Sequence, residues 1–450
     1  MKMGLLCERL RTKANAWGVV VWWWSRSGLK RMHILVMNPG SSSIKFSLHA
    51  VAAAECHALY QGELGGIGGR SEKLVFRDAA GKDLSGKLGA VKTGSMEEAI
   101  ALVERAVGLD GLPAIDAVGY RVVHPGAHLR GHQRLTPEVL AKLREAVPFA
   151  PLHNPEALEL IEGMMRLFRD VPHIACFDTV FHETMPEEAT VYALPYAVRR
   201  KGVRRYGFHG LSCESVVAQM HEAQGFAFPR RMIIAHLGSG CSVTACIDGS
   251  SVDTTMGLTP TGGVMMGTRI GDLDPGVVLF LLRQADATVD SVERMIDGDA
   301  GLRALGGVND MRELRKRAAK GNARAQLAIR VFCRSVVKAI AGFIALYGAD
   351  SIVFTGGIGE HDAATRVEII GGLRGLGVKL DLAANQLEQK AMSPNVSKPV
   401  GQISDHSVRK ISDEDSPIAV YVVPAEEDQM IARHVAQLCL TAPSNGERPR

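Results

Sequence analysis

Residues 232–276 read MIIAHLGSGCSVTACIDGSSVDTTMGLTPTGGVMMGTRIGDLDPG, a stretch in which apolar runs are separated by glycine-containing turns. The apolar run at 232–237 is typical of a buried strand, and a second run at 243–247 follows Gly238, Ser239 and Gly240. This pattern predicts a tight hairpin whose glycines let a ligand approach the backbone, and whose N–H groups form a concavity suited to phosphate. Further on, Arg269 lies in a loop too rich in glycine to be a helix face. A glycine hairpin alone is more often only a turn, so the prediction of a phosphate site depends on a second, independent feature of the sequence.

A similar pattern occurs near the amino end, where residues 33–50 read HILVMNPGSSSIKFSLHA. Apolar runs at 34–37 and 44–48 flank a turn of glycine and serine, with Lys45 just beyond it. Two such units indicate an internal duplication, and two phosphate-facing hairpins, one per lobe, predict a nucleotide held between the lobes. A third unit, SIVFTGGIGE at 351–360, predicts a buried strand leading into a glycine loop. Its spacing is GGxG, not the G-x-G-x-x-G of dinucleotide-binding folds.

These motifs together resemble the acetate kinase family, within the superfamily of actin, Hsp70 and sugar kinases. The resemblance implies an α/β, two-lobe, duplicated ribonuclease H-like fold of the actin-like ATPase type, with a central nucleotide cleft. The lobes are expected at 32–180, to which 425–440 return, and at 181–424, and homodimers are expected to form through the second lobe. The matching stretches span residues 33 to about 433: NPGSSSIKFSL (38–48), YRVVHPG (120–126), PLHNP (151–155), FDTVFHETMP (177–186), RRYGFHG (204–210), HLGSG (236–240), SVDTTMGLTPTGGVMMGTRIGDLDPG (251–276), FTGGIGE (354–360) and EEDQMIAR (426–433).

The resemblance implies reversible transfer of the ATP γ-phosphoryl group to acetate, giving acetyl phosphate and ADP. Carboxylates with a reference pKa of about 4 are already ionised at neutral pH, so the acceptor needs no base. The site must instead bring two anions together, which requires cations. By the motif match, Arg121 and Arg269 stabilise the transferred group, and His209 donates a hydrogen bond to it. Asp178 completes the implied catalytic set.

The same match assigns the ligand-binding residues. Asn38, Asp178 and Glu427 are expected to hold Mg²⁺, with Mn²⁺ as the alternative, because hard cations prefer oxygen donors. The acyl substrate is assigned to Arg121 and to an apolar wall of Val123, Leu152, Phe208 and Pro260. Nucleotide binding is assigned to Lys45, His236, Gly238, Ser239, Gly240, Asp310, Arg312, Gly357, Ile358 and Gly359, with Ser41 and Ser43 under the phosphates.

Several positions depart from the family pattern and indicate a divergent member. Ser239 stands where the family usually has asparagine, and Tyr120 replaces a histidine. Two alternative functions stay open: a propionate or butyrate kinase of the same family, which differs only in its pocket walls, and a catalytically inactive nucleotide-binding regulator. The presence of both arginines, the histidine and the metal carboxylates argues against the regulator.

Composition limits the partners. The formal charge is +4, but residues 1–31 contain seven Lys/Arg and one Glu, so the remainder is slightly acidic and a nucleic-acid partner has no support. The apolar run at 16–24 is too short to span a bilayer. The favoured interpretation of 1–31 is a start codon assigned too far upstream, with a disordered extension or a targeting segment as alternatives. Eight cysteines without a C-x-x-C pair indicate thiols in a reducing cytoplasm.

The remaining pattern predicts the elements that carry the motifs. Helices are expected at 95–107, 137–147, 155–169 and 322–347, with Ser95, Thr136 and Asn154 as amino-terminal caps. Strands are expected at 116–123, 173–177 and 418–423, and a disordered tail at 441–450. Asp178 comes directly after a buried strand, where ligands bind in open α/β sheets.

Overall fold

The computed structural model describes residues 31–40, 43–52, 55–67, 73–89, 93–151, 153–223, 227–387 and 408–441. The predictions for residues 1–30, Ser41, Leu152 and 442–450 lie outside these ranges. The chain forms two compact units. The first contains the described residues up to Val180 and those from Glu426 onward, and the second contains the described residues from Phe181 to Ala425.

The first unit is built on a seven-stranded sheet with the order β4-β3-β2-β1-β5-β7-β6. β1, β5 and β7 are parallel neighbours, whereas β2, β3, β4 and β6 pair antiparallel. The predicted first hairpin is confirmed, with Gly40 paired to Ser43 at its turn. The strands are β1 Met32–Gly40, β2 Ser43–Ala52, β3 Glu55–Gly65, β4 Lys73–Asp78, β5 Ala117–Val122, β6 Gln133–Arg134 and β7 His173–Phe177.

The second unit is built on a six-stranded sheet with the order β10-β9-β8-β11-β13-β12. Its central strands β8, β11 and β13 are parallel, and β9 pairs antiparallel to β8 through the predicted second hairpin, which is confirmed. The strands are β8 Arg231–Leu237, β9 Cys241–Ile247, β10 Ser250–Thr254, β11 Ser351–Thr355, β12 Arg409–Lys410 and β13 Ala419–Val422.

The two sheets repeat one strand plan, as the duplicated motifs predict. The orders β3-β2-β1-β5-β7 and β10-β9-β8-β11-β13 share it: two antiparallel pairings lead to a first strand, followed by two parallel neighbours. Parallel strands covered on both faces are expected to be apolar throughout. Residues 34–37, 173–177 and 351–355 are accordingly buried. The prediction of a duplicated α/β fold is therefore confirmed.

Helices pack around each sheet, and no helix among the described residues is both long and apolar enough to cross a membrane. The first unit contains α1 Met96–Val107, α2 Pro137–Glu145, α3 Asn154–Leu167 and, at the carboxyl end of the chain, α15 Glu427–Thr441. The second contains α4 Glu187–Thr190, α5 Tyr196–Arg199, α6 Gly210–Glu222, α7 Pro275–Leu282, α8 Val289–Asp297, α9 Gly301–Gly306, α10 Met311–Ala319, α11 Ala323–Tyr347, α12 Gly356–His361, α13 Ala363–Gly372 and α14 Leu382–Gln386.

Side-chain caps set the start of two of the predicted helices. The Ser95 side chain accepts from the Glu98 N–H and the Thr136 side chain from the Val139 N–H, as predicted. The predicted cap at Asn154 is wrong. Asn154 is the first residue of α3, and its buried amide instead donates to the His124 carbonyl at 2.9 Å. His124 is fully buried, so its carbonyl oxygen requires a donor within the protein, and the Asn154 amide supplies it.

The predicted glycine loop after β11 is also wrong. Gly357, Ile358 and Gly359 lie in the short helix α12, which begins at Gly356 immediately after the strand. Gly356 takes a positive φ of 76°, and the Glu360 carboxylate accepts from its N–H at 2.9 Å. A side chain that caps its own helix lets the chain turn from strand to helix without a loop.

Helix α15 brings the end of the chain onto the first sheet. Gly119 in β5 makes this possible, since a Cβ there would lie 2.6 Å from Val435 and 2.8 Å from Ile431. The helix therefore packs closely on β5, and its first turn lies beside the site described next.

Candidate active site

The first unit gathers three of the predicted site residues around Arg121. Arg121 is near the end of β5, and Asp178 directly follows the neighbouring strand β7. The guanidinium donates to both oxygens of Asp178, at 2.9 and 2.5 Å, and to the Asn38 carbonyl oxygen at 3.3 Å. Glu427, the first residue of α15, lies 3.6 Å from the same guanidinium. Parallel neighbours end at one edge of the sheet, which explains why residues distant in sequence meet there.

Burial makes this a strongly coupled ion pair. The side chain of Asp178 is only 2% exposed and that of Arg121 is 19% exposed. Burial opposes the charge on Arg121, but the carboxylates of Asp178 and Glu427 outweigh it and raise the pKa of the guanidinium. Burial also raises the pKa of Asp178, and Arg121 works against that rise. Each charge is therefore held in place by the other.

Asp428 extends this cluster and was not assigned to the site from the sequence. Its carboxylate accepts from the Asn38 amide at 3.4 Å and from the Ser47 hydroxyl at 2.8 Å. Burial raises the pKa of Asp428, the nearby Glu427 adds to the rise, and the two hydrogen bonds oppose it. Glu426, Glu427 and Asp428 form one acidic run in the sequence, and only the strand pairing that places Ser47 near Asn38 distinguishes Asp428 within it.

A concavity opens beside Arg121. It is lined by Val123 from the predicted acyl wall, by His153 ahead of α3, and by Pro39, Gly40, Glu156 and Ala157. Lys45, opposite Asn38 in the hairpin, is exposed. The structure thus places one apolar residue of the predicted wall beside the arginine that was expected to meet the substrate.

In the second unit His209 occupies a strained backbone position. Its φ is 58°, a left-handed conformation that residues other than glycine rarely adopt, and α6 begins immediately after it. The ring Nδ1 lies 3.0 Å from the Ser242 hydroxyl, and the ring stacks on His236 with centroids 4.1 Å apart. His236 is held in turn by Ser212 at 2.8 Å. Such strain persists where surrounding contacts fix the residue, and it is typical of functional positions.

Arg269 lies next to this histidine pair. Its guanidinium contacts Asp297 at 3.2 Å and donates to the Pro260 carbonyl at 3.3 Å. A Cβ at Gly240 would lie 3.0 Å from the His209 Nε2 and 3.5 Å from an Arg269 nitrogen. The glycine therefore leaves room for both groups at the hairpin turn, which brings together two of the three residues expected to act on the phosphoryl group.

The residues assigned to the nucleotide divide into two sets. The turn at Gly238 lies close to the first turn of α12, since a Cβ on Gly238 would be 3.8 Å from the Gly357 nitrogen. Asp310 and Arg312, in contrast, pair with each other at 2.7 Å at the start of α10, and Arg312 is 86% exposed. Phe208, assigned to the acyl wall, is buried within the second unit.

Comparison with known proteins decides the family. The sequence model described as "Acetokinase family" matches residues 33–433. The chain belongs to the acetokinase family. Curated relatives in that family include an acetate kinase of Deinococcus radiodurans, 41% identical over 90% of this chain and 98% of its own length, and one of Syntrophobacter fumaroxidans, 38% identical over 90% and 97%.

Solved structures of acetokinase relatives agree with this assignment. A propionate kinase from Francisella tularensis superposes with a TM-score of 0.78 at 33% identity, covering 90% of this chain and 99% of its own. An acetate kinase from Porphyromonas gingivalis gives a TM-score of 0.76 at 32% identity, covering 91% and 100%.

Proposed function

We propose that this protein is a phosphotransferase with a carboxyl group as acceptor, which transfers the ATP γ-phosphoryl group reversibly to acetate and yields acetyl phosphate and ADP. The main observation that supports this proposal is the turn in the second unit, where Gly240 leaves room for Arg269 and His209 side by side. The relatives at 38–41% identity that are named acetate kinases support the choice of acetate.

The chemistry asks for positioned cations more than for a base. Both reactants are anions, and the transferred group spreads negative charge over its equatorial oxygens. Arg121 and Arg269 are proposed to stabilise that charge, and His209 to donate a hydrogen bond to it. Arg121, fixed by Asp178, is proposed to orient the substrate carboxylate. Donors fixed before the reaction need no reorganisation during it, which is the main advantage of such a site.

The oxygen donors of the first unit fit Mg²⁺, with Mn²⁺ as the alternative. Asn38, Asp178 and Glu427 are proposed to hold the ion, and Asp428 adds a further carboxylate beside Asn38. Both oxygens of Asp178 already accept from Arg121, which favours a contact through water, as is common for an ion that dehydrates reluctantly. When bound, the ion would neutralise charge on the phosphate oxygens.

The nucleotide is proposed to bind along the second-unit turn and the start of α12. His236, Gly238, Ser239 and Gly240 are assigned to the phosphates, together with Lys45 of the first unit. Gly357, Ile358 and Gly359 are assigned to the adenosine as part of a helical turn. Asp310 and Arg312 keep their proposed place near the ribose and base.

An acetyl-hydroxamate assay with ATP, Mg²⁺ and acetate tests the function. We expect hydroxamate to form in proportion to enzyme, and ADP to appear in equal amount. If ATP binds but acetate, propionate and butyrate all give no acyl hydroxamate, the transfer is refuted and the inactive regulator takes its place.

Chain-length selectivity is proposed to arise at the concavity beside Arg121. Val123 is β-branched and stiff, and it fills volume that alanine would leave open. One methylene in an apolar pocket is typically worth about 1 to 3 kcal/mol, or roughly tenfold to a few hundredfold in kcat/KM. We expect acetate to be preferred over propionate and butyrate, and Val123→Ala to improve kcat/KM for the longer acids relative to acetate.

Measuring kcat/KM for the three acids checks this prediction. Val147→Ala is a matched control, because Val147 does not line the concavity, and it should leave the ratios unchanged. A wild-type preference for propionate would favour the propionate kinase alternative. Unchanged ratios in Val123→Ala would remove Val123 from the acyl wall.

We further propose a homodimer formed through the second unit. Helix α7 consists almost entirely of apolar residues, yet Leu279 is 52% and Phe280 is 62% exposed. A contiguous exposed apolar face on a water-soluble unit marks an association surface, and an identical patch on a second copy is its simplest partner.

Light scattering after size exclusion measures this association. We expect wild type at twice the chain mass of 48.4 kDa, and Phe280→Asp at the mass of one chain, because a buried unpaired carboxylate is costly. Leu382→Asp changes an equally exposed leucine outside α7 and should remain dimeric. A monomeric wild type, or a dimeric Phe280→Asp variant, would contradict the proposal.

We place the reaction in the cytoplasm. The substrate ATP is available there, and the eight cysteines of the sequence form no C-x-x-C pair, which favours thiols in a reducing compartment.

A further inference from the structure

A line of hydrogen bonds leads from Asp428 in the first-unit site to Ser47 and His49 on β2. Asp428 accepts from Ser47 at 2.8 Å, and the Ser47 hydroxyl lies 3.0 Å from the Nε2 of His49. The Nδ1 of His49 in turn lies 3.8 Å from the Cys56 sulfur. Ser47 and His49 are 1% exposed, so neither exchanges its partner with bulk water.

The donors along this line have one consistent direction. The Asp428 carboxylate can only accept, so the Ser47 hydroxyl donates to it. The Ser47 oxygen then accepts from Nε2–H of His49, which leaves the unprotonated Nδ1 facing the Cys56 sulfur, whose thiol donates to the Gln429 carbonyl at 3.9 Å. Burial lowers the pKa of His49 to about 3, which keeps the ring neutral, with one donor and one acceptor.

On the other side of Asp428 the line reaches the substrate-binding arginine. The Asn38 amide donates to Asp428 at 3.4 Å, which turns the Asn38 carbonyl oxygen toward Arg121, from which it accepts at 3.3 Å. An asparagine presents its oxygen or its nitrogen at a given place, never both. The acceptor at Asp428 therefore fixes which end of Asn38 faces the arginine and the proposed metal.

We propose that Ser47 and His49 are positioning residues of the proposed kinase reaction, which hold Asp428 so that Asn38 presents its oxygen to Arg121 and to the divalent cation. The inference rests on the proposed function for its kinetic consequence, and on the hydrogen-bond geometry for its effect on metal binding. Partners that orient metal ligands typically change metal affinity or activity by 10- to 100-fold when removed.

Ser47→Ala and His49→Ala test the assignment. We expect each to raise the KM for Mg²⁺ or lower kcat by about tenfold or more. His49→Gln keeps an N–H donor at the position of Nε2 and should recover most of the loss, which a purely structural role would not produce. His221→Ala is the matched control, since His221 lies in α6 of the second unit, outside the hydrogen-bonded line, and should behave as wild type.

A double-variant cycle separates positioning from general damage. Once Asp428 is changed to Asn, loss of Ser47 should cost little more, because the two residues act through one contact. Independent, multiplying losses in Ser47→Ala/Asp428→Asn would overturn the inference, and so would equal losses in His49→Gln and His49→Ala.

Binding of Mn²⁺ in the presence of ADP, followed by electron paramagnetic resonance of the unbound ion, gives a readout that needs no turnover. Weaker Mn²⁺ binding in Ser47→Ala but not in His221→Ala supports the positioning role even if wild type fails to phosphorylate acetate, which would refute only the proposed function. Unchanged Mn²⁺ affinity together with unchanged kcat in Ser47→Ala would overturn the inference while leaving the proposed function intact.

Discussion

Replacing Arg269 with alanine is expected to lower kcat by at least about a hundredfold, because the lost contact is proposed to stabilise charge that develops only in the transition state. Affinity for ATP should change little. Arg269 is held by Asp297 and by the Pro260 carbonyl, so its guanidinium is already oriented beside His209 before substrate binds. Steady-state kcat and an independent ATP binding constant, measured on the same preparation, check the two halves of the prediction.

A surface arginine of the same unit provides the control for Arg269. Arg303 forms an ion pair with Asp299 in which both side chains are about half exposed, and Arg303→Ala should leave kcat and ATP affinity unchanged. The proposed role of Arg269 fails if its alanine variant keeps the wild-type kcat and loses only ATP affinity. Asp297→Asn should fall between the two, since it removes the orienting charge and keeps the arginine.

The sequence predicted the fold well because its strongest signals are local. Both hairpins carry apolar runs with turn residues between them, and the parallel strands that follow are short, apolar and bounded by polar residues. The errors at Asn154 and Gly356 share one cause. In each case a side chain has a backbone partner that the sequence pattern did not indicate: the Asn154 amide donates to the His124 carbonyl, and the Glu360 carboxylate accepts from the N–H of Gly356.

The candidate site residues that lie in sequence motifs could be predicted, whereas a residue placed only by the register of the sheet could not. Arg121, Asp178, Arg269 and His209 all lie in recognisable stretches. Asp428 gains its place because register in β1 and β2 sets Asn38 opposite Lys45, two positions from Ser47. Helix α7 was missed for the opposite reason, because its uniformly apolar sequence has no helical period to detect.

The second large effect is expected for Arg121→Ala, in stability as well as in rate. An arginine directed at phosphoryl chemistry is worth on the order of a thousandfold or more in kcat. Removing it also leaves the carboxylate of Asp178, 2% exposed, without its cation. Breaking one partner of a buried pair typically costs about 3 to 5 kcal/mol, because the remaining charge is uncompensated. We therefore expect loss of acetate phosphorylation together with a clearly lower unfolding midpoint at neutral pH.

The pH dependence of that deficit identifies its cause. Burial raises the pKa of Asp178 in the folded protein, and without Arg121 nothing in the pair opposes the rise. A carboxyl group whose folded pKa exceeds its unfolded value of about 4 binds its proton more tightly when folded. Its penalty is absent below the unfolded pKa and accumulates as the pH increases toward the folded pKa. The deficit of Arg121→Ala relative to wild type should thus be smaller near pH 5 than near pH 8 in urea unfolding.

The double variant Arg121→Ala/Asp178→Asn removes the buried charge along with its partner and decides between charge and packing. If uncompensated charge causes the deficit, the double variant should regain most of the stability of wild type and lose the pH dependence of the deficit. It should remain inactive, because it lacks both the arginine proposed to bind the substrate and the carboxylate that orients that arginine. If it instead stays as unstable as Arg121→Ala at every pH, lost packing of the arginine side chain explains the effect, and the ion pair is not what stabilises this edge of the sheet.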